Sequence, residues 1–248
     1  MPIDTAFIFA AGLGKRMLPL TLYVPKPMVK IAGTMLIEHA LRQVEQAGVR
    51  RVVVNSHHLA DQLDAWLMAW HIQHPDISMT ISDERDQLLE TAGGIIKALP
   101  LLGANPFFTI NGDVLWKDRT GAGNGLFSAL NRHWDPDKMD MLLALCPREK
   151  AFGYEGGGDF SLASDGTLRR DGDHNPYVYC GIQIIKPSVF KGYPIEPFSL
   201  RDIYHARKQP DGSYQRMAGV VYDGDWLHVG TVADIAKAEI HLASLGGK

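Results

Sequence analysis

The stretch of this 248-residue chain with the clearest chemistry is a glycine loop followed at once by cations: Ala10-Ala11-Gly12-Leu13-Gly14-Lys15-Arg16, then Pro25-Lys26-Pro27-Met28. Glycines at 12 and 14 let the backbone approach a ligand closely and turn N–H groups toward phosphate oxygens. Prolines on either side of Lys26 restrict where its ammonium can go. Three cations beside such a loop suit a triphosphate; the competing reading is a glycine turn with a solvated basic edge. Two other phosphate loops do not fit. A dinucleotide fingerprint needs a third glycine where Met17 stands, and its acidic partner would fall at Glu38, on a helix rather than at the end of a second strand. A Walker A loop needs Ser or Thr after its Lys, and Lys15 precedes Arg16.

A second candidate is Asn111-Gly112-Asp113, which follows an apolar run. A strand ending in Gly-Asp puts a carboxylate at the edge of a sheet where α/β proteins bind ligands. Such an oxygen ligand suits Mg²⁺, which takes one or two carboxylates plus phosphate oxygens; a plain Asn-Gly-Asp turn is the alternative. Gly181, inside Tyr177-Val178-Tyr179-Cys180-Gly181-Ile182, interrupts a strand pattern, which often marks close approach of a ligand. His57-His58 and the pair His71/His74 have no third ligand in view, and Trp66 and Trp70 read as core or interface.

Short apolar runs alternating with amphipathic segments must position these groups. Strands are expected at residues 5–10, 51–55, 79–81, 107–110, 139–145 and 178–185. Helices are expected at 35–47, stopped by Gly48, at 59–70, at 91–99 ahead of Pro100, at 125–134 and at 232–245. Ser199 with Asp202, and Thr231 with Asp234, have capping-box spacing. Single helices between strands imply right-handed crossovers. The fold class is therefore α/β, with a mostly parallel central sheet. Glycine-rich loops from 153 to 173 form a small β-rich insertion on the substrate side. One domain is expected over 1–248, with a core at 1–145 and a second portion, including the last helix, at 146–248.

Composition bounds the rest. The chain is 46% hydrophobic and 21% charged, with 25 Lys and Arg against 28 Asp and Glu, a net charge of −3. A general nucleic-acid binder would usually be basic, so no nucleic-acid partner is expected. No apolar run approaches the roughly 20 residues of a membrane span, and the N-terminus lacks the pattern of a signal peptide. Cys146 and Cys180 do not make a disulfide framework. No membrane partner and a cytoplasmic location are expected.

The stretch Ala-Ala-Gly-x-Gly-x-Arg-Met-x-Pro-Leu-Thr with Pro-Lys-Pro-Met resembles the sugar-1-phosphate nucleotidyltransferases. The resemblance implies a Rossmann-like three-layer sandwich with a nucleotide-binding core at 1–145 and a sugar-binding portion at 146–248; it also implies a nucleoside triphosphate and a sugar 1-phosphate as partners, an NDP-sugar and pyrophosphate as products, and Mg²⁺ as cofactor. It implies that Ala10, Ala11, Gly12, Gly14 and Lys15 cradle the nucleotide, that Arg16 holds the β- and γ-phosphates, and that Lys26 bridges the α-phosphate and the sugar phosphate. Asp113 becomes the metal site, with Asn111 on the same floor. Arg16, Lys26 and Asp113 are the expected catalytic groups. The segment from Ser82 through Leu88 meets the base in such proteins. Glu90-Thr91-Ala92-Gly93-Gly94 resembles the family's Glu-Thr-(Gly/Ala)-Gly-Gly on the sugar side, so Glu90, Thr91 and Gly93 are expected substrate contacts, with Asn175, Tyr179 and Gly181.

Two departures stand out. Where many members carry a second metal-binding Asp in Trp-x-Asp-x-Gly-Thr, this chain has Trp226-Leu227-His228-Val229-Gly230-Thr231. His228 is thus expected to line the site, as a metal ligand, a phosphate contact or a support of the turn, with Asp225 nearby as another candidate ligand. The Glu-Lys-Pro lysine of thymidylyl- and guanylyltransferases is missing between 153 and 175. Glu90-Thr91-Ala92-Gly93-Gly94-Ile95, Asn111-Gly112-Asp113, the Phe198-Ser199-Leu200 helix start and Trp226-x-x-Val-Gly-Thr together resemble most the short branch that joins UTP to N-acetylmuramic acid 1-phosphate in cell-wall sugar recycling; no β-helical acyltransferase domain is expected. Mannose 1-phosphate with GTP, or glucose 1-phosphate with dTTP or UTP, is the second choice. A nucleotide-sensing regulator without turnover is the rival class. A monomer or small homo-oligomer is expected.

Overall fold

The structure is a computed structural model and describes residues 2–118 and 125–246. In chain order its elements are β1 (Thr5–Phe9), β2 (Lys30–Ile31), β3 (Thr34–Met35), α1 (Leu36–Gln46), β4 (Arg51–Ser56), α2 (Ala60–Gln73), β5 (Ser78–Asp83), α3 (Glu90–Leu102), β6 (Phe107–Asn111), β7 (Val114–Lys117), α4 (Leu126–His133), β8 (Met141–Pro147), β9 (Ala151–Phe152), β10 (Ser161–Leu162), β11 (Thr167–Arg169), β12 (Tyr177–Ile185), α5 (Leu200–Ala206), β13 (Ser213–Val221), β14 (Asp225–His228) and α6 (Val232–Gly246).

Nine strands form one sheet in the order β10-β11-β13-β8-β12-β6-β1-β4-β5. The run β6-β1-β4-β5 is parallel throughout, and β13 is parallel to β8. Strand β12 runs against both its neighbours. Alternation along the strands builds two cores. Ala6 and Ile8, with Val52 and Val54, face α1, α2 and α4; Phe7 and Val53 face α3 and α5. That is the period of two expected of strands buried on both faces. Each wholly buried phenylalanine, such as Phe7 or Phe107, contributes roughly 1.5–3 kcal/mol by leaving water. The α/β sandwich read from the sequence is the observed fold.

The chain leaves β1 toward β4 and β5, then returns to place β6 on the other side of β1. Strands β1 and β6 therefore flank the topological switch point, where open α/β sheets bind their ligands. A second sheet, β7-β14-β9, stands beside this point. Beneath the loop after β1 lies a third cluster of Met17, Val29, Leu36, Leu115, Leu227 and Val229.

Three local expectations change. Helix α3 runs through Pro100 to Leu102, because a proline so near the C-terminal end removes only one of the last backbone bonds. Strand β7 is too short to signal itself, and β14 holds it in place. Strand β13 is not legible in the sequence because its alternation breaks at Arg216, whose φ is +54°. No helix among the described residues is long and apolar enough to cross a membrane.

Candidate active site

Two connected clefts open at the switch point. The inner one, about 500 Å³, is lined by Ala10, Ala11, Gly12, Gly14 and Lys15 from the first loop, together with Leu88 and Glu90. The outer one, about 730 Å³, is lined by Tyr179, Gly181, Tyr204, Trp226 and His228 among others. Arg16, Thr91, Asn111, Asp113 and Ser199 line both.

The first loop owes its shape to Gly14, which sits in the left-handed region at φ +61°. A Cβ there would lie 2.7 Å from the Thr21 methyl and 3.2 Å from Lys26 Cβ. Buried Thr21 donates its hydroxyl to the Gly14 carbonyl at 3.0 Å. The turn holding Lys26 thus packs directly under the loop, and the Lys26 ammonium reaches Asp113 Oδ2 at 2.7 Å.

Asp113 occupies the turn between β6 and β7. Gly112 passes so close to the end of β1 that a Cβ would sit 2.2 Å from the Phe9 carbonyl oxygen. Pairing of β7 with β14 puts His228 opposite Val114, and Val229 donates its N–H to the Asp113 carbonyl at 2.9 Å. His228 Nε2 then lies 3.5 Å and Arg16 Nη2 3.9 Å from Asp113 Oδ2. Burial opposes ionisation of Asp113, but the hydrogen bond to His228 and the Lys26 charge outweigh it and hold the carboxyl well below the usual range. All three basic side chains approach Oδ2. Among the described residues no protein group bonds Oδ1, which leaves one hard oxygen for a cation. No cluster of three or more His, Cys, Asp or Glu able to hold a metal occurs among those residues. A divalent ion at Asp113 would therefore depend on ligand phosphates for further coordination, as suits Mg²⁺.

The structure does not bring Asp225 to this point. Trp226 and His228 share one face of β14; Asp225 projects from the other, 3.9 Å from His241 of α6. Side chains three apart on a strand point to opposite faces. Asn175 is also turned away. It is 2% exposed, accepts the Asp171 N–H at 3.1 Å and donates to the Gly172 carbonyl at 3.2 Å, so it staples its own loop. Ser82 is buried in β5 and lines neither cleft.

Gly93 and Gly94 do not admit a ligand but the protein's own chain. A Cβ on Gly93 would lie 2.1 Å from the Glu196 carbonyl oxygen, and one on Gly94 2.7 Å from Glu84 Oε1. Thr91 lines both clefts while its hydroxyl accepts the Leu200 N–H at 2.8 Å, tying α3 to α5. Glu90 carries a positive φ of +58° at the wall of the inner cleft, a conformation uncommon for a non-glycine residue. Gly181, at φ +75°, leaves the space taken by the Asn111 side chain. Tyr179 is placed in the outer cleft as expected, and burial keeps its hydroxyl protonated.

Sequence reasoning missed several lining residues. Asn55 ends the apolar run of β4, and a polar residue at the carboxyl end of a buried strand is a usable signal. Ser199 is legible only as a helix cap, which it is, accepting the Arg201 N–H at 3.2 Å. Arg201, Tyr204 and Arg170 reach the outer cleft through tertiary packing and give no local signal.

Known proteins share both the sequence and the fold. Residues 5–154 match the Nucleotidyl transferase family. The chain is 41% identical over 240 residues to the N-acetylmuramate alpha-1-phosphate uridylyltransferase of Caulobacter vibrioides, covering 96% of each. It is 34% identical over 235 residues to the protein of that name from Neisseria meningitidis serogroup B, covering 94% of this chain and 96% of that one. Among solved structures, UDP-glucose pyrophosphorylase complexed with UDP-glucose has the same fold, with a TM-score of 0.75 at 16% identity over 98% of this chain and 99% of that chain.

Proposed function

The chain belongs to the nucleotidyl transferase family as a sugar-1-phosphate nucleotidyltransferase, and from that premise we propose that it joins UTP to N-acetylmuramic acid 1-phosphate, releasing pyrophosphate. The observation that carries the reaction is the convergence of Lys26, Arg16 and His228 on Asp113 at the switch point. The substrate pair rests on the names of two relatives matched over nearly the whole chain. The outer cleft supports it. Arg170 and Arg201 line that cleft, and neither guanidinium has a carboxylate partner among the described residues, which suits the carboxylate of a muramic sugar.

An oxygen of the sugar phosphate attacks the α-phosphorus, and the bond to the bridging oxygen of the β-phosphate breaks. The nucleophile is already an anion, so no general base is needed; the site must align the reactants and neutralise charge. Lys26 transfers its ammonium from Asp113 to the α-phosphate and the incoming phosphate. Arg16, 62% exposed, closes on the β- and γ-phosphates with Lys15, and the first loop offers N–H groups to the departing pyrophosphate. Asp113 would hold Mg²⁺ with His228 beside it, and the ion would supply further charge neutralisation on the phosphate oxygens. A cytoplasmic location fits a reaction that draws on a nucleoside triphosphate.

The test is pyrophosphate release by the purified protein with each of four triphosphates against a panel of sugar 1-phosphates. The expected result is the highest kcat/KM with UTP and N-acetylmuramic acid 1-phosphate. A tenfold preference for mannose 1-phosphate with GTP, about 1.4 kcal/mol of discrimination, would overturn the substrate assignment. Nucleotide binding without release from any pair would overturn the reaction and favour a sensing role.

A further inference from the structure

Behind the inner cleft lies a buried carboxylate that the reaction above does not use. Glu84 is 0% exposed. Its Oε1 accepts from the Asn55 amide at 2.7 Å and its Oε2 from the Leu89 N–H at 3.0 Å. Asn55, 2% exposed, uses its own oxygen to accept the Ala10 N–H at 2.7 Å. One unbroken path of hydrogen bonds therefore runs from the end of β1, where the phosphate loop begins, through Asn55 and Glu84 to the segment carrying Leu88 and the start of α3. The backbone reinforces it: Glu84 donates its N–H to the Ser56 carbonyl at 2.8 Å, and its carbonyl bonds His57 Nδ1 at 2.7 Å. Gly94 clears the room, since a Cβ there would lie 2.7 Å from Glu84 Oε1 and 3.1 Å from Asn55 Nδ2.

The arrangement is a poor device for stability alone. Burial pushes the Glu84 carboxyl up, and its two hydrogen-bond donors only partly offset this. No salt bridge reaches Glu84 among the described residues, and a buried charge without one is less favourable than apolar packing of similar volume. Its two ends, however, meet the lining of the same cleft: Ala10 lines it, and Leu89 stands between Leu88 and Glu90, which line it too. We propose that Glu84 and Asn55 are a positioning pair that sets the separation between the phosphate loop and the base-side segment, so that triphosphate and base contacts form together. The proposal rests on the reading of the inner cleft as a nucleoside triphosphate site.

The pair can be tested by exchanging its polarity. Glu84→Gln alone brings an amide NH₂ against either the Asn55 amide or the Leu89 N–H. Asn55→Asp alone sets two carboxylates against each other. Combining Asn55→Asp with Glu84→Gln rebuilds every bond. The amide introduced at position 84 donates to the carboxylate introduced at position 55. That carboxylate accepts the Ala10 N–H, and the new amide's oxygen accepts the Leu89 N–H. Each single variant is expected to raise KM for UTP about tenfold, to change kcat less, and to narrow the preference for UTP over the other triphosphates. The double variant is expected to return KM to within about threefold of the parent and to restore the preference. Unchanged KM and preference in folded single variants would overturn the pair. So would a double variant that regains thermal stability but not KM and preference, since that marks a purely structural contact, and so would one as impaired as the singles in every respect. Equilibrium binding of UTP by the same proteins reads the pair without turnover. A failure of pyrophosphate release in the parent, which would count against the proposed reaction, is thereby kept separate from a failure of the pair.

Discussion

Two aspartates, each surrounded by three basic side chains, stand at opposite edges of the central sheet. Asp140, at the entry to β8, meets Lys186 at 3.0 Å and Arg207 and Arg216 at 3.1 Å, and both carboxylate oxygens are engaged. Asp113, at the exit from β6, meets Lys26 at 2.7 Å, but His228 and Arg16 stand back at 3.5 and 3.9 Å and all crowd one oxygen. Burial opposes ionisation at Asp140 too, and hydrogen bonds from Lys186, Arg207 and Arg216 outweigh it, so both carboxyls titrate below the usual range. A displaced pKa therefore does not distinguish a site from a brace. What distinguishes them is how the oxygens are used: both oxygens of Asp140 are bonded to cations, whereas Asp113 keeps an oxygen free and its cations can transfer to a ligand.

The contrast breaks most sharply on Asp113→Asn. This change is expected to lower kcat at least about 100-fold, the scale of losing a main electrostatic contributor, in a protein that still folds. Near-normal kcat in a folded variant would return Asp113 to the class of Asp140. Next is Lys26→Ala, expected to reduce kcat roughly tenfold or more while KM for the triphosphate rises less; a change confined to KM would remove the transition-state role.

Asp140→Asn should do the opposite. Leaving three cations without their anion is expected to lower stability by about 2 kcal/mol in urea denaturation, with kcat within twofold. Its pH dependence has a defined sign. The folded carboxyl titrates below its unfolded value, so the stabilisation is fully present above the ordinary Asp range near pH 4 and is lost as pH falls through and below it. The stability gap between parent and variant should therefore close on acidification; a gap that widened would show that the brace is not ionic. The smallest effect is expected for Asp225→Asn, which should leave kcat within about twofold because that carboxylate faces α6; a large loss would restore it to the site.

Much of the polar lining of the inner cleft is legible in the sequence because it is local. Gly14, Lys15, Arg16 and Lys26 sit in one segment, and a turn of that composition has few ways to fold. Asp113 is legible because a strand end is a short-range signal. The glycines of α3 do mark close approaches, but to a different partner from the substrate expected there. A missing side chain announces a near neighbour without saying whether it is a ligand, the Glu196 carbonyl or the Glu84 carboxylate.

Residue order alone determined the alternation that buries β1 and β4 on both faces, the glycine loop after β1 and the carboxylate after β6, since each depends on backbone geometry over a few residues. Tertiary structure decided which distant groups meet. Lys26 reaches Asp113 across 87 residues, and Asn55 reaches Glu84 across 29. His228 faces the site and Asp225 turns away only because β14 pairs with β7 in one register; a slip of one residue would reverse them. That register is set by burial of Trp226 and Leu227 on opposite faces of β14. This is a property of the assembled core, which no window of neighbouring residues contains.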